Sequence, residues 1–211
     1  RDGLHILGEP PEGSRLDEFL VALTRLSNGS VPSLRQSLAE VMGHDYEYLL
    51  ANRGKVVAGS KTCGEVIEEL NVLALRLVAG LHGQGFAREM IRDQEDEILE
   101  KRNRSPKLEK VLEYICSTLA PSIGATVDEL SSILCASNGG FVPPGPSGAP
   151  TRGMADILPT GRNFYSVDPQ AIASQAAWKV GVAQADALLK RYLADEGRYP
   201  ESLGIVIWGS P

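Results

Sequence analysis

The segment from Gly139 to Pro169, GGFVPPGPSGAPTRGMADILPTGRNFYSVDP, constrains the fold more than any other part of the chain. Four prolines and five glycines fall between Gly139 and Gly153, so helix and sheet are both disfavoured. Irregular segments longer than about 15 residues are usually functional or disordered. The second half is too apolar for a solvated tail, which predicts a packed loop. Its apolar residues are Ile157, Leu158, Phe164, Tyr165 and Val167.

Before this loop, apolar residues recur at helical spacing from Ser14 to Ala136. Three pairs have the capping-box spacing of a helix start: Ser33 with Gln36, Thr62 with Glu65, and Thr126 with Glu129. Two apolar stripes are Leu16, Phe19, Leu20, Leu23, Leu26, and Val66, Ile67, Leu70, Leu73, Ala74, Leu77, Val78, Leu81. Further helices are predicted at about 34–42, 87–101, 107–119 and 127–137.

The predicted fold is therefore mainly α: a helical region over 1–136, an ordered loop over 137–173, and a helix and strand over 174–211. The closing strand, SLGIVIWGS, is a continuous apolar run of the kind that begins an α/β domain. Since the chain opens on Arg1 and stops just after this strand, we expect an interior piece of a longer chain.

Composition and short motifs argue against several classes of function. The net charge is -6 with no basic stripe, which argues against nucleic acid as a partner. Three scattered cysteines without CxxC spacing predict a reducing, cytoplasmic setting. No apolar run reaches the roughly 20 residues of a transmembrane segment. The stretches GPSG and PTGRN do not predict a nucleotide site, because prolines remove backbone donors and no GKS or GKT follows.

Several longer motifs carry a family resemblance. GGFVPPGPSGAPTRG, LPTGRNFYSVDP and VIWGS resemble the large subunit of the ATP-dependent cobaltochelatase of aerobic cobalamin biosynthesis, and the related large subunit of magnesium chelatase is similar. GLHILGEPP and VPSLRQSLAEVMG extend the resemblance over essentially the whole chain. The stretch RNFYS is more similar to the cobalt branch.

The resemblance implies a metal chelatase that inserts divalent cobalt, as a substrate, into hydrogenobyrinic acid a,c-diamide. ATP would be hydrolysed by separate AAA+ partner subunits and not bound here, so the isolated chain is not expected to be active. Two alternatives stay open: magnesium insertion into protoporphyrin IX, or a non-catalytic scaffold or docking segment of the same subunit.

Chelation requires a group that takes up ring N–H protons and groups that hand over the metal. Within the family-like motifs, His5 and Glu40 are the candidate catalytic residues, and Glu9 is the candidate metal ligand. The apolar neighbours of Glu40 predict partial burial, which would favour proton uptake. The alternative role is a packing histidine for His5, a surface carboxylate for Glu40 and a turn residue for Glu9. His44 and His82 stand at helix ends, where imidazole commonly meets the helix dipole.

The loop supplies the candidate substrate-binding residues: Arg152, Arg162, Asn163 and Tyr165. The planar fork of an arginine suits the carboxylates of a tetrapyrrole, and Tyr165 could line a ring face. Aromatic residues in a packed loop can equally be core anchors.

Overall fold

Helices form most of the structure, a computed structural model that describes residues 5–57, 60–99, 105–165 and 175–204, with the backbone alone at 164–165 and 175–177. The fold is mainly α, as predicted. The chain divides into two units, 1–164 and 165–211. The α-helices are α1 Ser14–Leu23, α2 Leu34–Val41, α3 Tyr46–Ala51, α4 Cys63–Gly83, α5 Ile91–Ile98, α6 Pro106–Tyr114, α7 Ala120–Gly124, α8 Asp128–Ser137 and α9 Gln175–Glu196.

Helix α4 is the centre of the first unit and packs against α1, α2, α3 and α5. Its start is the predicted capping box, in which Thr62 accepts from the Glu65 N–H and the Glu65 carboxylate accepts from the Thr62 N–H at 2.7 Å. The predicted apolar stripe faces the core, with only Leu73 partly exposed. Burial of such a stripe is the main source of stability for a bundle of this size.

Some of the predicted helix boundaries agree with the structure and others differ. Ser33 caps α2, and Pro106 takes the first position of α6, where its missing N–H costs nothing. Leu26 is 46% exposed because α1 already ends at Leu23. The helix predicted over 87–101 begins with a 3₁₀ turn at Arg88–Met90, and α5 occupies only Ile91–Ile98.

The chain from Pro106 to Gly124 runs as α6, a π-helical turn at Ile115–Leu119, and α7. A 3₁₀ turn at Ala125–Val127 follows, so α8 begins at Asp128, with no side-chain cap. The capping box predicted from Thr126 and Glu129 is therefore wrong. The carboxylate of Glu129 is free for other partners.

The glycine and proline segment contacts the helical region over its described part. It contains two short paired strands, β1 (Pro144–Pro146) and β2 (Asn163–Tyr165), and 3₁₀ turns at Pro150–Arg152 and Ala155–Ile157. Ala155 is 3% exposed within the main core, and its N–H donates to Asn28 Oδ1 at 3.0 Å. The loop is thus anchored to the turn after α1.

The second unit is described from 175 to 204 and consists of α9 and the residues after it. Apolar side chains on α9 are exposed, among them Trp178 at 66%. The predicted closing strand lies mostly in 205–211, outside the described residues. Within the described ranges, no helix combines the length and the apolarity that crossing a bilayer requires.

Candidate functional site

A cavity of about 820 Å³ lies between α8 and the glycine and proline loop, within the first unit. Most of its lining is apolar, and the polar groups are few, which is the usual composition of a site for an organic ligand. The lining residues are Leu7, Glu129, Ser132, Ile133, Ala136, Gly140, Phe141, Val142, Pro146, Ser147, Gly148, Ile157, Pro159, Thr160, Gly161, Arg162 and Asn163.

Helix α8 forms one wall through a single face. Glu129, Ser132, Ile133 and Ala136 follow the i, i+3, i+4, i+7 spacing of one helical stripe. Ile133 points to the cavity, and it is 46% exposed. Phe141, which follows α8 in the chain, also lines the cavity and is 80% exposed. The cavity is therefore an open apolar cleft rather than part of the core.

Glu129 is the charged residue at which three segments meet. It is buried, and its Oε1 and Oε2 lie 3.0 and 2.9 Å from His5 Nε2. The Gly8 N–H donates to Oε2 at 2.8 Å. Gly161 of the loop packs directly on the Glu129 backbone. Glu129 of α8 thus binds the N-terminal segment through its carboxylate, and its backbone lies beneath the loop.

Two opposing effects set the charge of this carboxylate. Burial raises the pKa of Glu129, while the Thr160 hydroxyl, the Gly8 N–H and His5 lower it; the donors prevail, and the pKa lies below its usual value of 4.5. Thr160 Oγ1 is buried and has no hydrogen-bond partner among the described residues. The Gly8 N–H, at 2.8 Å from Oε2, is a well-formed donor to this carboxylate. Glu129 is an anion at neutral pH.

Arg162 lines the cavity, but its donors are directed into the loop. Nη2 donates to the carbonyls of Asp156 and Ile157 at 3.0 and 2.7 Å, and Nε donates to the Pro159 carbonyl at 3.1 Å. The guanidinium also packs against Gly145, where a Cβ would lie 2.7 Å from Cζ. Arg162 therefore holds the curved loop together, a role that its position in the sequence did not indicate.

The other loop candidates are placed differently. Asn163 lines the cavity, and its N–H donates to the Pro143 carbonyl at 3.1 Å. Arg152 is exposed in a 3₁₀ turn and is not among the lining residues. The Tyr165 side chain lies outside the described residues, so its role stays a prediction.

Glu40 is not in this site. It is exposed on α2, and its Oε1 accepts from Lys107 Nζ at 2.7 Å. The expected partial burial is wrong because Leu34, Ser37 and Leu38 carry the buried face of α2 and position 40 falls on the other side. The structure thus places Arg162 and Asn163 in the cavity lining and His5 on the lining residue Glu129, without Glu40.

The remaining candidates show no metal site. Glu9 is exposed. His82 Nδ1 lies 2.7 Å from Asp17 Oδ1, and its ring stacks on Phe86, so it joins α4 to α1. His44 is partly buried after the end of α2. In the part of the chain that the structure describes, no three His, Cys, Asp or Glu side chains converge to hold a metal ion.

Comparison with known proteins assigns the chain to a family. The model of the CobN/Magnesium Chelatase family matches residues 1–211. The chain belongs to this family. It is 33% identical over its whole length to the aerobic cobaltochelatase subunit CobN of Pseudomonas aeruginosa, covering 17% of that protein. It is 29% identical, over 99% of its length, to the chloroplastic magnesium-chelatase subunit ChlH of Oryza sativa subsp. indica, covering 16% of that protein.

A solved structure of the family has the same fold. The catalytic subunit of cobaltochelatase from Mycobacterium tuberculosis matches 95% of this chain with 35% identity and a TM-score of 0.60, and the chain covers 15% of that subunit. The chain therefore spans about a sixth of the length of these members of the CobN/magnesium chelatase family. These relatives are subunits of metal chelatases.

Proposed function

We propose that this chain contributes the tetrapyrrole-contacting part of the large subunit of an ATP-dependent cobaltochelatase, a ligase that forms nitrogen–metal bonds. The observation that carries the proposal is the cleft between α8 and the loop, in a chain of the chelatase family. Cobalt enters as a substrate, the acceptor is hydrogenobyrinic acid a,c-diamide, and the complex works in the cytoplasm.

The chemistry of the cleft supports a macrocycle. A tetrapyrrole is a broad planar ring with carboxylates at its edge, and it needs an apolar surface for the ring faces. Ile133 and Phe141 offer such a surface, since both are exposed and both line the cavity. The volume of about 820 Å³ lies within the range of small-molecule sites. Asn163 and the exposed Arg152 are the proposed partners of the ring substituents.

ATP hydrolysis belongs to separate AAA+ subunits in this proposal. Prolines interrupt the loop stretches that look like phosphate-binding turns. The free energy of ATP hydrolysis would reach the cleft through movement of the large subunit. Glu9 would act as a metal ligand only together with residues elsewhere in the subunit that complete the coordination.

The proposal is tested by titrating a full-length subunit that carries this segment with hydrogenobyrinic acid a,c-diamide and with protoporphyrin IX. Ile133→Glu places a charge against the apolar ring face, so we expect at least a tenfold loss of affinity, about 1.4 kcal/mol. Val72→Glu is the matched control, because Val72 is an exposed apolar residue on a helix outside the cavity. Equal affinity of the two variants would contradict the placement of the site.

Two other functions give different results in the same titration. Preferential binding of protoporphyrin IX would favour the magnesium branch, to which ChlH belongs. If Ile133→Glu binds either pigment normally but no longer assembles with the ATPase partners, the cleft is a docking surface in a scaffold segment.

A further inference from the structure

The contact between His5 and Glu129 fixes the tautomer of the imidazole. Nε2 lies 3.0 and 2.9 Å from the two oxygens of the same carboxylate. An ionised carboxylate only accepts hydrogen bonds, so Nε2 must carry the hydrogen. In the neutral ring the lone pair is then on Nδ1, and no described residue hydrogen-bonds to that atom.

The imidazole is both oriented and accessible. The His5 side chain is 56% exposed, whereas the Glu129 side chain is 7% exposed. Glu129 is itself held, since the Gly8 N–H donates to Oε2 at 2.8 Å and Leu130 of α8 packs against Gly8. An exposed imidazole on a fixed, buried carboxylate is the usual arrangement of a base that is positioned by a second residue.

We propose that Glu129 positions His5 so that Nδ1 accepts a proton from a tetrapyrrole ring N–H beside the cleft. This inference rests on the proposed function and adds to it a positioning residue that lines the cavity. Glu129 does not accept the proton itself. Its charge and its two acceptor oxygens hold the ring and stabilise the imidazolium that forms.

Insertion of a divalent ion into a corrin ring, which binds metal as a monoanion, releases one N–H proton, and insertion into a porphyrin releases two. The freed nitrogen lone pairs then bind the metal. His5 Nδ1 takes a proton, becomes an imidazolium paired with the Glu129 carboxylate, and releases the proton to water through its exposed edge; with a porphyrin it does so twice. No oxidant or reductant is needed.

The decisive experiment uses a full-length subunit with its ATPase partners and measures the rate of metal insertion. His5→Ala should lower kcat about 100-fold, the lower end of the range for general base catalysis. Free imidazole should restore part of the rate, because truncation of an exposed side chain leaves an open space for it. The affinity for the tetrapyrrole should change less than about threefold. His44→Ala is the matched control and should be neither slowed nor rescued.

Glu129→Gln tests the positioning. The amide keeps the shape and one acceptor oxygen but loses the charge, so we expect a loss of about 10- to 100-fold, as is usual for residues that orient another ligand or base. In the His5→Ala background the same substitution should cost almost nothing further, because it acts through His5.

If His5→Ala inserts metal at the unmodified rate, or if imidazole gives no rescue, the proton-acceptor role is overturned. If the two substitutions have additive effects, Glu129 acts independently of His5 and the positioning role is overturned. If the unmodified subunit with its partners inserts neither cobalt nor magnesium, the proposed function itself fails, and that failure is seen before any variant is compared.

Discussion

Gly161 lies directly on the backbone of Glu129: a Cβ at position 161 would be 2.8 Å from the Glu129 Cα and 3.0 Å from its nitrogen. The φ of Gly161 is +80°, a conformation that other residues adopt with difficulty. Two independent constraints therefore require glycine at this position. The loop can close over α8 only because no side chain separates the two backbones.

Gly161→Ala should open the cleft. The left-handed conformation costs roughly 1–2 kcal/mol, and the backbone contact adds about 1–3 kcal/mol, so the loop should move away from α8. We expect at least a tenfold loss of tetrapyrrole affinity, measured by quenching of pigment fluorescence. Gly43→Ala is the matched control: its φ is +78°, but nothing lies within 4 Å of the added carbon. Unchanged affinity in Gly161→Ala would contradict the close packing.

Arg162→Ala should weaken tetrapyrrole binding through the shape of the loop. Since Nη2 and Nε hold loop carbonyls, the substitution leaves these carbonyls without donors and loosens the turn. We expect equal loss of affinity for the free acid and for the methyl ester of the pigment. Arg162→Lys should not rescue binding, because an ammonium group cannot reproduce the planar fork. Loss confined to the free acid would instead support direct pairing with a substrate carboxylate.

The helical part of the fold could be predicted because local signals and burial agree there. The apolar stripe of α4 and the capping box of Thr62 and Glu65 both depend on residues within a few turns. The packed loop could be expected from its apolar content, although its path could not, since Ala155 and Asn28 are 127 residues apart in the chain.

The site could be predicted only in part. His5, Arg162 and Asn163 came from motifs, whereas Glu129 was interpreted as a capping residue. Its spacing from Thr126 fits a capping box equally well, but the 3₁₀ turn at Ala125–Val127 delays α8 and frees the carboxylate. Its partner His5 is 124 residues away, and no local pattern indicates such a contact.

The stability of the chain should depend on pH through Glu129. Because the folded pKa lies below the usual 4.5, the ionised carboxylate contributes stability above that value, and this contribution is lost as pH falls through the lower folded pKa. As pH falls from above 4.5 to below the lowered folded pKa, the unmodified chain should therefore lose more stability than Glu129→Gln. Urea unfolding at several pH values measures the difference. Parallel curves for the two chains would show that the carboxylate is not stabilised by its donors.

Thr62→Ala should destabilise α4 without affecting the cleft. The Thr62 side chain accepts from the Glu65 N–H at 3.2 Å, and loss of such a cap costs about 0.5–2 kcal/mol. Urea unfolding should detect this loss, while tetrapyrrole affinity stays unchanged because neither residue lines the cavity beside α8. Thr62→Ser, which keeps the hydroxyl, should recover most of the stability. If it does not, the cost comes from lost packing and not from the cap.

Glu40→Gln distinguishes the two roles that the sequence left open for Glu40, a catalytic base and a surface carboxylate. A base that acts in chelation predicts a large fall in the insertion rate with little change in tetrapyrrole affinity. The exposed pair with Lys107 predicts only a small loss of stability, up to about 1 kcal/mol, because solvent screens such a pair. Lys107→Met is the comparison, since it breaks the same ion pair and leaves the carboxylate in place. If both variants insert metal at the unmodified rate, Glu40 is a surface partner of α6. A fall in Glu40→Gln alone would show that α2 carries a second chemical group, at a distance from the cleft.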